Sequence, residues 1–367
     1  MTQLSRILLL VLLLVLVTGE AAATPYAGGM DGQPASRYSR IFSFGDSLTD
    51  TGNAAILPAT AGGPFSHAPY GETYFHHPSG RASDGRLIID FIVESLGLPQ
   101  PPPYLAGETA DDFRRGANFA VGGATALDPA FLKNRGIATF VPVSLSKETS
   151  WFSNVLELLA SSAYEQETNI MASSVFYFGE IGVNDYIFAL FSNRTAELAA
   201  SLVPDIVAVT RSALTAVIDA GARTVLVTGM IPLGCESGCI TGFNEVAQLH
   251  NRALNRMLRE LRRTHPGTTL FYADIYRPIA NLVASPSKYG FGDRPLAAFC
   301  GGGDGPYHFD MAAFCGTPDS TESSDPAEFL SWDGIHFTDA ANRFIAQSLL
   351  RGLYNASAMA EPQTALL

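Results

Sequence analysis

The segment Ile41-Phe42-Ser43-Phe44-Gly45-Asp46-Ser47-Leu48-Thr49 decides how the rest of the chain is interpreted. Its first four residues are mostly aromatic or β-branched and suit a short buried strand, which Gly-Asp-Ser then ends. A serine just past the C-terminal end of a strand lies where open α/β sheets bind their ligands. Thr49 stands where the Gly-x-Ser-x-Gly turn of α/β-hydrolases needs its second glycine, so this is a different motif. By itself, Gly-Asp-Ser is also compatible with an ordinary turn, because all three residue types favour turns.

Downstream of this segment, strand-like and helix-like stretches alternate. Further strands are predicted at residues 118–121, 174–178, 224–228 and 269–273. Helices are predicted at residues 85–96, 147–162, 202–220, 244–264, 275–284 and 338–353, the last with Thr338 as its N-cap. Such alternation is typical of a parallel sheet covered on both faces, and no linker divides the chain. The sequence therefore predicts an α/β protein in which residues 24–367 form a single domain.

Residues 1–23 have the pattern of a secretory signal peptide. Arg6 supplies a positive charge, residues 7–17 form an apolar run of eleven, and Ala21-Ala22-Ala23 offers small residues for cleavage before Thr24. The run is well short of the roughly 20 apolar residues that span a bilayer, and no later segment is expected to be long enough. We therefore expect entry into the secretory pathway without stable membrane insertion. The expected destination is extracellular, with the Golgi or another endomembrane lumen as the alternative.

The four cysteines agree with an oxidising compartment. Cys235 lies close to Cys239 in sequence and Cys300 close to Cys315, so two local disulfides are the simplest of the three possible connectivities. A zinc site is the rival interpretation. Neither spacing is a C-x-x-C pair, however, and an oxidising lumen favours disulfides.

The charge balance restricts the possible partners. The formal net charge is −12, with 35 acidic and 23 basic residues, and no run of lysines or arginines occurs. Such a surface repels a phosphate backbone, so nucleic acid is not an expected partner, and we expect a monomer. His67, His76 and His77 lack neighbouring metal ligands and are interpreted as loop or pocket-wall residues. The sequons at Asn193 and Asn355 are expected at the surface if they are glycosylated.

Three polar features follow predicted strands, and a fourth precedes the last helix. They are Gly45-Asp46-Ser47, Gly122-Gly123, residues 179–185 and residues 332–336. Because parallel strands end at the same edge of a sheet, these four features can converge in space. Asp46 is interpreted as a residue that holds the turn rather than as a catalytic acid.

Acyl transfer requires a serine activated by a histidine, a carboxylate that orients the imidazole, and donors aimed at the tetrahedral oxyanion. Asp333 and His336 are three residues apart in the sequence. In a turn this spacing lets the carboxylate of Asp333 reach Nδ1, the ring nitrogen of His336 that lies nearer to the backbone. The far ring nitrogen then faces Ser47. The backbone N–H groups of Ser47 and Gly123 and the side-chain amide of Asn184 are the candidate oxyanion donors.

These features resemble, in order, the four sequence blocks of the GDSL esterase/lipase family, which belongs to the SGNH hydrolases. The similar stretches are Gly45-Asp46-Ser47-Leu48, residues 118–124, Gly182-x-Asn184-Asp185 and Asp333-x-x-His336. The chain is most similar to the plant secreted branch of that family, and the likeness covers nearly the whole mature chain. The resemblance implies a flavodoxin-like three-layer α/β/α sandwich with a central five-stranded parallel sheet.

The resemblance also assigns roles to the matching positions. It implies that Ser47 is the nucleophile, His336 the base and Asp333 its orienting acid, and that no metal or organic cofactor is needed. It implies that Gly123, five residues after Asn118, joins Ser47 and Asn184 as an oxyanion donor, although the adjacent Gly122 remains open.

The expected function is that of a secreted serine esterase that cleaves carboxylic esters through an acyl-enzyme. An acyltransferase or a lipase with the same triad is the alternative, and the intact triad disfavours a silent carbohydrate- or lipid-binding protein. Because the sequence contains no amphipathic lid helix, we expect short acyl esters, such as acetylated cell-wall polysaccharide or small plant metabolites. The loops at residues 54–83 and 286–331 are expected to build the pocket with their aromatic residues Phe65, Tyr70, Tyr74, Phe75, Phe299, Tyr307 and Phe309.

Overall fold

The structure, a computed structural model, describes residues 38–161, 167–192, 195–233 and 241–360. The predicted signal peptide, Asn193, Cys235 and Cys239 lie outside these residues, as does the side chain of Asn355. The predictions made for them, and the single-domain prediction for residues 24–367, therefore stay predictions.

The core is a five-stranded parallel sheet with the strand order β2-β1-β3-β4-β5. Its strands are β1 (Arg40–Phe44), β2 (Gly116–Asn118), β3 (Ser174–Phe178), β4 (Thr224–Thr228) and β5 (Thr269–Ala273). Every residue of β1, β3 and β4 is buried, which explains why these strands are continuous apolar runs rather than alternating patterns. The order is that of a flavodoxin-like sheet, so the predicted fold class is confirmed.

Ten helices of the described residues flank this sheet. They are α1 (Asn53–Ile56), α2 (Ile88–Ser95), α3 (Pro129–Asn134), α4 (Leu145–Ser161), α5 (Glu167–Ala172), α6 (Val183–Phe191), α7 (Ala196–Asp219), α8 (Thr241–Thr264), α9 (Tyr276–Ala284) and α10 (Asp339–Ala360). Helices α4, α7 and α8 form one group of packed neighbours, and α2, α9 and α10 form another. The predicted N-cap of α10 is confirmed, because the Thr338 hydroxyl accepts a hydrogen bond from the backbone N–H of Ala341 at 3.2 Å.

Strand β2 was predicted at residues 118–121, and that position is wrong. The strand ends at Asn118, whose side-chain oxygen accepts the N–H of Ala120 at 2.9 Å and turns the chain. The Asn118 side-chain amide also donates to the carbonyl of Thr49 at 2.7 Å. One side chain therefore ends β2 and attaches it to the segment that follows β1.

Helix α7 begins at Ala196, earlier than the predicted residue 202, and contains Pro204 within it. By length and composition it is apolar enough to cross a membrane, so the expectation that no later segment has that length is wrong. Its apolar composition has an explanation within the fold. Leu202, Ile206 and Leu214 are fully buried in the hydrophobic core.

The segment 286–331, predicted as a loop, contains a short antiparallel pair formed by β6 (Cys300–Gly301) and β7 (Thr321–Glu322). The expected disulfide between Cys300 and Cys315 is present. Both cysteines pack with Tyr70, Phe299 and Trp332 in a small second hydrophobic cluster. This cluster therefore packs the segment 286–331 against Tyr70 of the first long loop and against Trp332, which precedes Asp333.

Candidate active site

The four polar features predicted to converge do so at the C-terminal edge of the sheet. Ser47 follows β1, Gly123 follows β2, Asn184 is in the first turn of α6 after β3, and His336 precedes α10. The Nε2 atom of His336 lies 2.9 Å from the Oγ atom of Ser47, although the two residues are 289 positions apart. The Nδ1 atom of His336 lies 2.7 Å from Oδ2 of Asp333. A hydroxyl, an imidazole and a carboxylate are thus joined by consecutive hydrogen bonds.

A tight turn presents Ser47 to this site. Gly45 has φ of 144°, a conformation that side chains rarely allow. Asp46 holds the turn as predicted, since its side chain accepts the N–H of Leu48 at 3.0 Å and its carbonyl accepts that of Asp50 at 2.8 Å. Within the described residues, no group accepts the backbone N–H of Ser47. That donor is therefore available to a substrate oxygen.

Asp333 is completely buried and accepts four hydrogen bonds. Its Oδ1 atom accepts the backbone N–H groups of Ile335 and His336 at 3.0 and 2.8 Å. Its Oδ2 atom accepts His336 Nδ1 at 2.7 Å and the hydroxyl of Tyr70 at 2.8 Å. Burial alone would raise the pKa of Asp333, but the charge of His336 and these hydrogen bonds lower it below its usual value. The carboxylate therefore stays ionised and holds the imidazole with Nε2 towards Ser47.

The two candidate glycines are distinguished by their hydrogen bonds. The N–H of Gly122 donates to Asp50 Oδ2 at 2.8 Å, whereas no group among the described residues accepts the N–H of Gly123. Gly123 has φ of 85°, and a Cβ atom there would lie only 2.6 Å from Val141 Cγ2. These contacts support Gly123 rather than Gly122 as the available donor.

The side-chain amide of Asn184 already has acceptors in the protein. Its Nδ2 atom donates to the carbonyl of Ala124 at 2.9 Å and to Asp46 Oδ2 at 3.2 Å. The bond to Asp46 is the longer of the two. Asn184 is thus positioned next to the nucleophile turn by the residues that surround it.

Asp50 is a site residue that the sequence interpretation did not single out. Its carboxylate accepts the N–H groups of Gly52, Asn53 and Ala54 at the start of α1, in addition to that of Gly122. It therefore attaches the turn after β1 to the glycine turn after β2, which sets the spacing between two of the candidate oxyanion donors. The only signal in the sequence was its place within the Asp-x-Gly-Asn stretch.

Four of the seven aromatic residues expected in the pocket separate into two groups. Phe65 packs edge-on against the His336 ring with centroids 5.4 Å apart, and Phe309 packs on Gly334. Tyr70 and Phe299 are instead buried in the second hydrophobic cluster, so the expectation that they line an open pocket is wrong for them. The residues that flank an aromatic side chain in the sequence do not show whether its ring is buried in the core or faces the pocket. Only the tertiary packing distinguishes the two cases.

The three histidines of the first long loop lie against local backbone carbonyls. His67, His76 and His77 contact the carbonyls of Gly62, Glu72 and Pro78 at 3.0, 3.0 and 2.9 Å, respectively. All three are exposed, which agrees with their interpretation as loop residues.

Several carboxyl groups are buried beneath the nucleophile turn. Glu148 of α4 accepts the N–H of Gly45 at 3.0 Å, and Asp185 accepts the N–H groups of Ala126 and Leu127. Burial raises the pKa of Asp46 to about 6 and that of Asp185 to about 7, and it raises the pKa of Glu148 well above its usual value. These groups hold protons at pH values at which the unfolded chain has released them.

These raised pKa values predict that the free energy of unfolding decreases as the pH rises from about 4 to about 7. In that window the protons that Asp46, Asp185 and Glu148 keep in the folded state outnumber the one that the buried His250, with its pKa lowered to about 4, has released. One unit of pKa shift corresponds to about 1.4 kcal/mol. Urea unfolding midpoints measured across this range will test the prediction, and Asp185→Asn should flatten the dependence. Asp112→Asn, at an exposed loop position, is the control. A midpoint that increases steadily up to pH 7 contradicts the prediction.

A serine, a histidine and an aspartate joined at the edge of a parallel sheet, with backbone donors beside the serine, are typical of α/β ester hydrolases. The sequence profile of the family described as GDSL-like lipase/acylhydrolase matches residues 41–349. The chain therefore belongs to this family and is a carboxylic ester hydrolase.

Two proteins of Arabidopsis thaliana, each named a GDSL esterase/lipase, are among its relatives. One is 41% identical over 337 residues, which cover 86% of this chain and 85% of the relative. Another is 40% identical over 345 residues, which cover 88% of this chain and 92% of the relative. The similarity therefore extends along nearly the full length of both chains and places the protein with plant esterases of this family.

Proposed function

We propose that the protein is a serine esterase that hydrolyses its substrate through an acyl-enzyme on Ser47. The observation that carries this proposal is the unbroken series of contacts from Ser47 Oγ through His336 to Asp333, at 2.9 and 2.7 Å. A serine hydroxyl becomes a competent nucleophile only with such a base within hydrogen-bonding distance. The anionic, fully buried Asp333 supplies the orientation that the imidazole requires.

In this mechanism His336 Nε2 removes the proton of Ser47 as Oγ attacks the carbonyl carbon of the ester. The oxyanion that forms accepts the N–H groups of Ser47 and Gly123 and a hydrogen from the Asn184 amide. His336 then gives its proton to the departing alcohol, and the acyl group stays on Ser47. Water, activated by the same imidazole, releases the acid and restores the hydroxyl.

A small cavity lies beside the triad. It has a volume of about 30 Å³ and borders His336, and the residues that line it do not include Ser47 or the candidate oxyanion donors. That is room for about two water molecules, which is compatible with a small group such as acetyl beside the imidazole. Acetylated cell-wall polysaccharide and small acylated metabolites are the proposed substrate classes. The walls are mainly apolar and include Ile231, Pro232, Ile279, Leu282, Leu330 and Phe337.

We place this activity in the secretory pathway, with export as the proposed destination. The signal-like residues 1–23 support entry, and the disulfide between Cys300 and Cys315 is of the kind that oxidising compartments maintain.

Labelling with a fluorophosphonate tests the proposed nucleophile. We expect one phosphonyl group per chain, located on Ser47 by mass spectrometry of the proteolytic peptides, with loss of esterase activity in parallel. Preincubation with a short acyl ester should slow the labelling, because both reagents compete for the same oxygen. A label on another residue, or full activity in fully labelled protein, excludes the mechanism.

The same preparation should be assayed on a series of 4-nitrophenyl esters from acetate to dodecanoate and on acetylated xylan. The proposal expects the largest kcat/KM for the shortest chains. If candidate acceptor alcohols are added and their esters accumulate faster than free acid, the protein is an acyltransferase with this triad instead.

A further inference from the structure

Tyr70 lies in the long segment between α1 and α2 and is completely buried. Its hydroxyl donates to Oδ2 of Asp333 at 2.8 Å, the same oxygen that accepts Nδ1 of His336. Its ring packs edge-on against Trp332 at 5.7 Å and against Phe65 at 5.4 Å between centroids. Phe65 in turn packs on the His336 ring, so this segment contacts both members of the Asp333–His336 pair.

We propose that Tyr70 is a positioning residue for Asp333 and His336, with its hydroxyl setting both the orientation of the carboxylate and the charge that the imidazole experiences. The inference rests on the proposed function, since it assigns a role within the same triad. Nothing in the local sequence around Tyr70 distinguishes it from the other aromatic residues of its loop.

The orienting effect follows from how the four hydrogen bonds of Asp333 are divided. Backbone N–H groups hold Oδ1, and among the residues that the structure describes the two donors to Oδ2 are the imidazole and the tyrosine hydroxyl. Without the hydroxyl, Oδ2 keeps the imidazole as its donor, and only the two backbone bonds to Oδ1 hold the carboxylate independently of the group that it has to orient. Because hydrogen bonds to charged groups are stronger than neutral ones, the loss of this bond should be measurable.

The electrostatic effect follows from the charge on Oδ2. A donor that shares this oxygen draws part of its negative charge away from His336, so the imidazolium is less stabilised than it would be beside a carboxylate without the tyrosine. Burial and the adjacent Asp333 raise the pKa of Tyr70 well above its usual value. The tyrosine therefore remains a neutral donor throughout the working pH range.

Tyr70→Phe removes the hydroxyl and keeps the ring. We expect kcat for 4-nitrophenyl acetate to fall about tenfold with KM little changed, since the bond acts on the triad and not on the substrate. We also expect the acid limb of the kcat/KM profile to move to higher pH by about half a unit, because the imidazole holds its proton more tightly beside the unshared carboxylate. If Tyr70 only stabilised the fold, its replacement would not shift the acid limb of the pH profile.

Tyr38→Phe is the matched control. Its hydroxyl lies 3.3 Å from Thr224 Oγ1, just before β1 and at the end of the sheet opposite Ser47, so this variant also loses a tyrosine hydroxyl but not one that contacts the triad. Its kcat and pH profile should match those of the wild type. If Tyr70→Phe is indistinguishable from this control in both measurements, the inference is wrong.

Replacement of Tyr70 with 3-fluorotyrosine covers the case in which the phenylalanine variant folds poorly. The fluorinated ring keeps the hydroxyl and makes it a stronger donor, so the acid limb should move to lower pH, opposite to the phenylalanine variant. If the acid limb of the fluorotyrosine variant moves to higher pH, as in Tyr70→Phe, or does not move, the inference is wrong.

A double-mutant cycle with Asp333→Asn gives an independent measurement. Tyr70→Phe should have little further effect on kcat once the carboxylate is gone. If the fold-loss in kcat of the double variant equals the product of the losses in the two single variants, the inference is contradicted. Labelling of Ser47 by the fluorophosphonate separates the two possible failures. If Ser47 is labelled and Tyr70→Phe is silent, the serine mechanism stands and only the role of Tyr70 is rejected.

Discussion

Replacing Ser47 with alanine should lower kcat for 4-nitrophenyl acetate by about 10⁴-fold or more, the largest effect expected of any single substitution in this protein. The change removes the oxygen that attacks the carbonyl and carries the acyl group, and no other group can take its place in line with His336 Nε2. The oxyanion donors remain, so some residual activity above the uncatalysed rate is expected. Binding should change little, because the substitution removes one atom at the floor of the site.

Ser43→Ala is the matched control for this experiment. Ser43 is also a fully buried serine and lies in β1, four residues before Ser47. The same chemical change at that position should leave kcat within a few-fold of the wild type. Comparable losses in both variants would mean that the Ser47 effect is structural, and activity retained by Ser47→Ala would reject the acyl-enzyme.

Replacing Asp333 with asparagine should lower kcat by about 10³- to 10⁴-fold. The backbone N–H groups of Ile335 and His336 require an acceptor, so the asparagine should place its carbonyl oxygen where Oδ1 now lies. Its NH₂ group then faces His336 Nδ1, which has to accept rather than donate. The imidazole proton consequently moves to Nε2, and that nitrogen can no longer take the proton of Ser47.

The expected defect is in proton transfer and not in folding, because the asparagine keeps the backbone hydrogen bonds. Asp333→Asn should still unfold cooperatively, with a loss of about 1–3 kcal/mol of unfolding free energy because its NH₂ group faces the buried Tyr70 hydroxyl that donated to Oδ2. The fluorophosphonate should react with Ser47 much more slowly. Asp112→Asn, an exposed residue that also accepts two backbone N–H groups, should leave both properties unchanged. Undiminished kcat in Asp333→Asn would show that the imidazole does not depend on the carboxylate.

The accuracy of the sequence predictions differs between the elements, and the reason is physical. Strands β3, β4 and β5 lie at their predicted residues, because a strand buried in a parallel sheet is a short apolar run that ends at glycine or polar residues. Strand β2 contributes only three residues, and a side-chain hydrogen bond from Asn118 sets its end. That bond depends on the neighbouring turn, so local residue preferences could not place it.

The sequence by itself determined the order of the five sheet strands and of six of the ten described helices, the presence of chemically competent residues after the strands, and the family to which they point. These properties depend on residue type and on periodicity over short distances. Only the tertiary structure decided which of those residues meet. The approach of Ser47 to His336, the pairing of Gly122 with Asp50 and the bond from Tyr70 to Asp333 each join residues more than seventy positions apart. Such contacts depend on the register of the sheet and the path of the loops, which no local segment encodes.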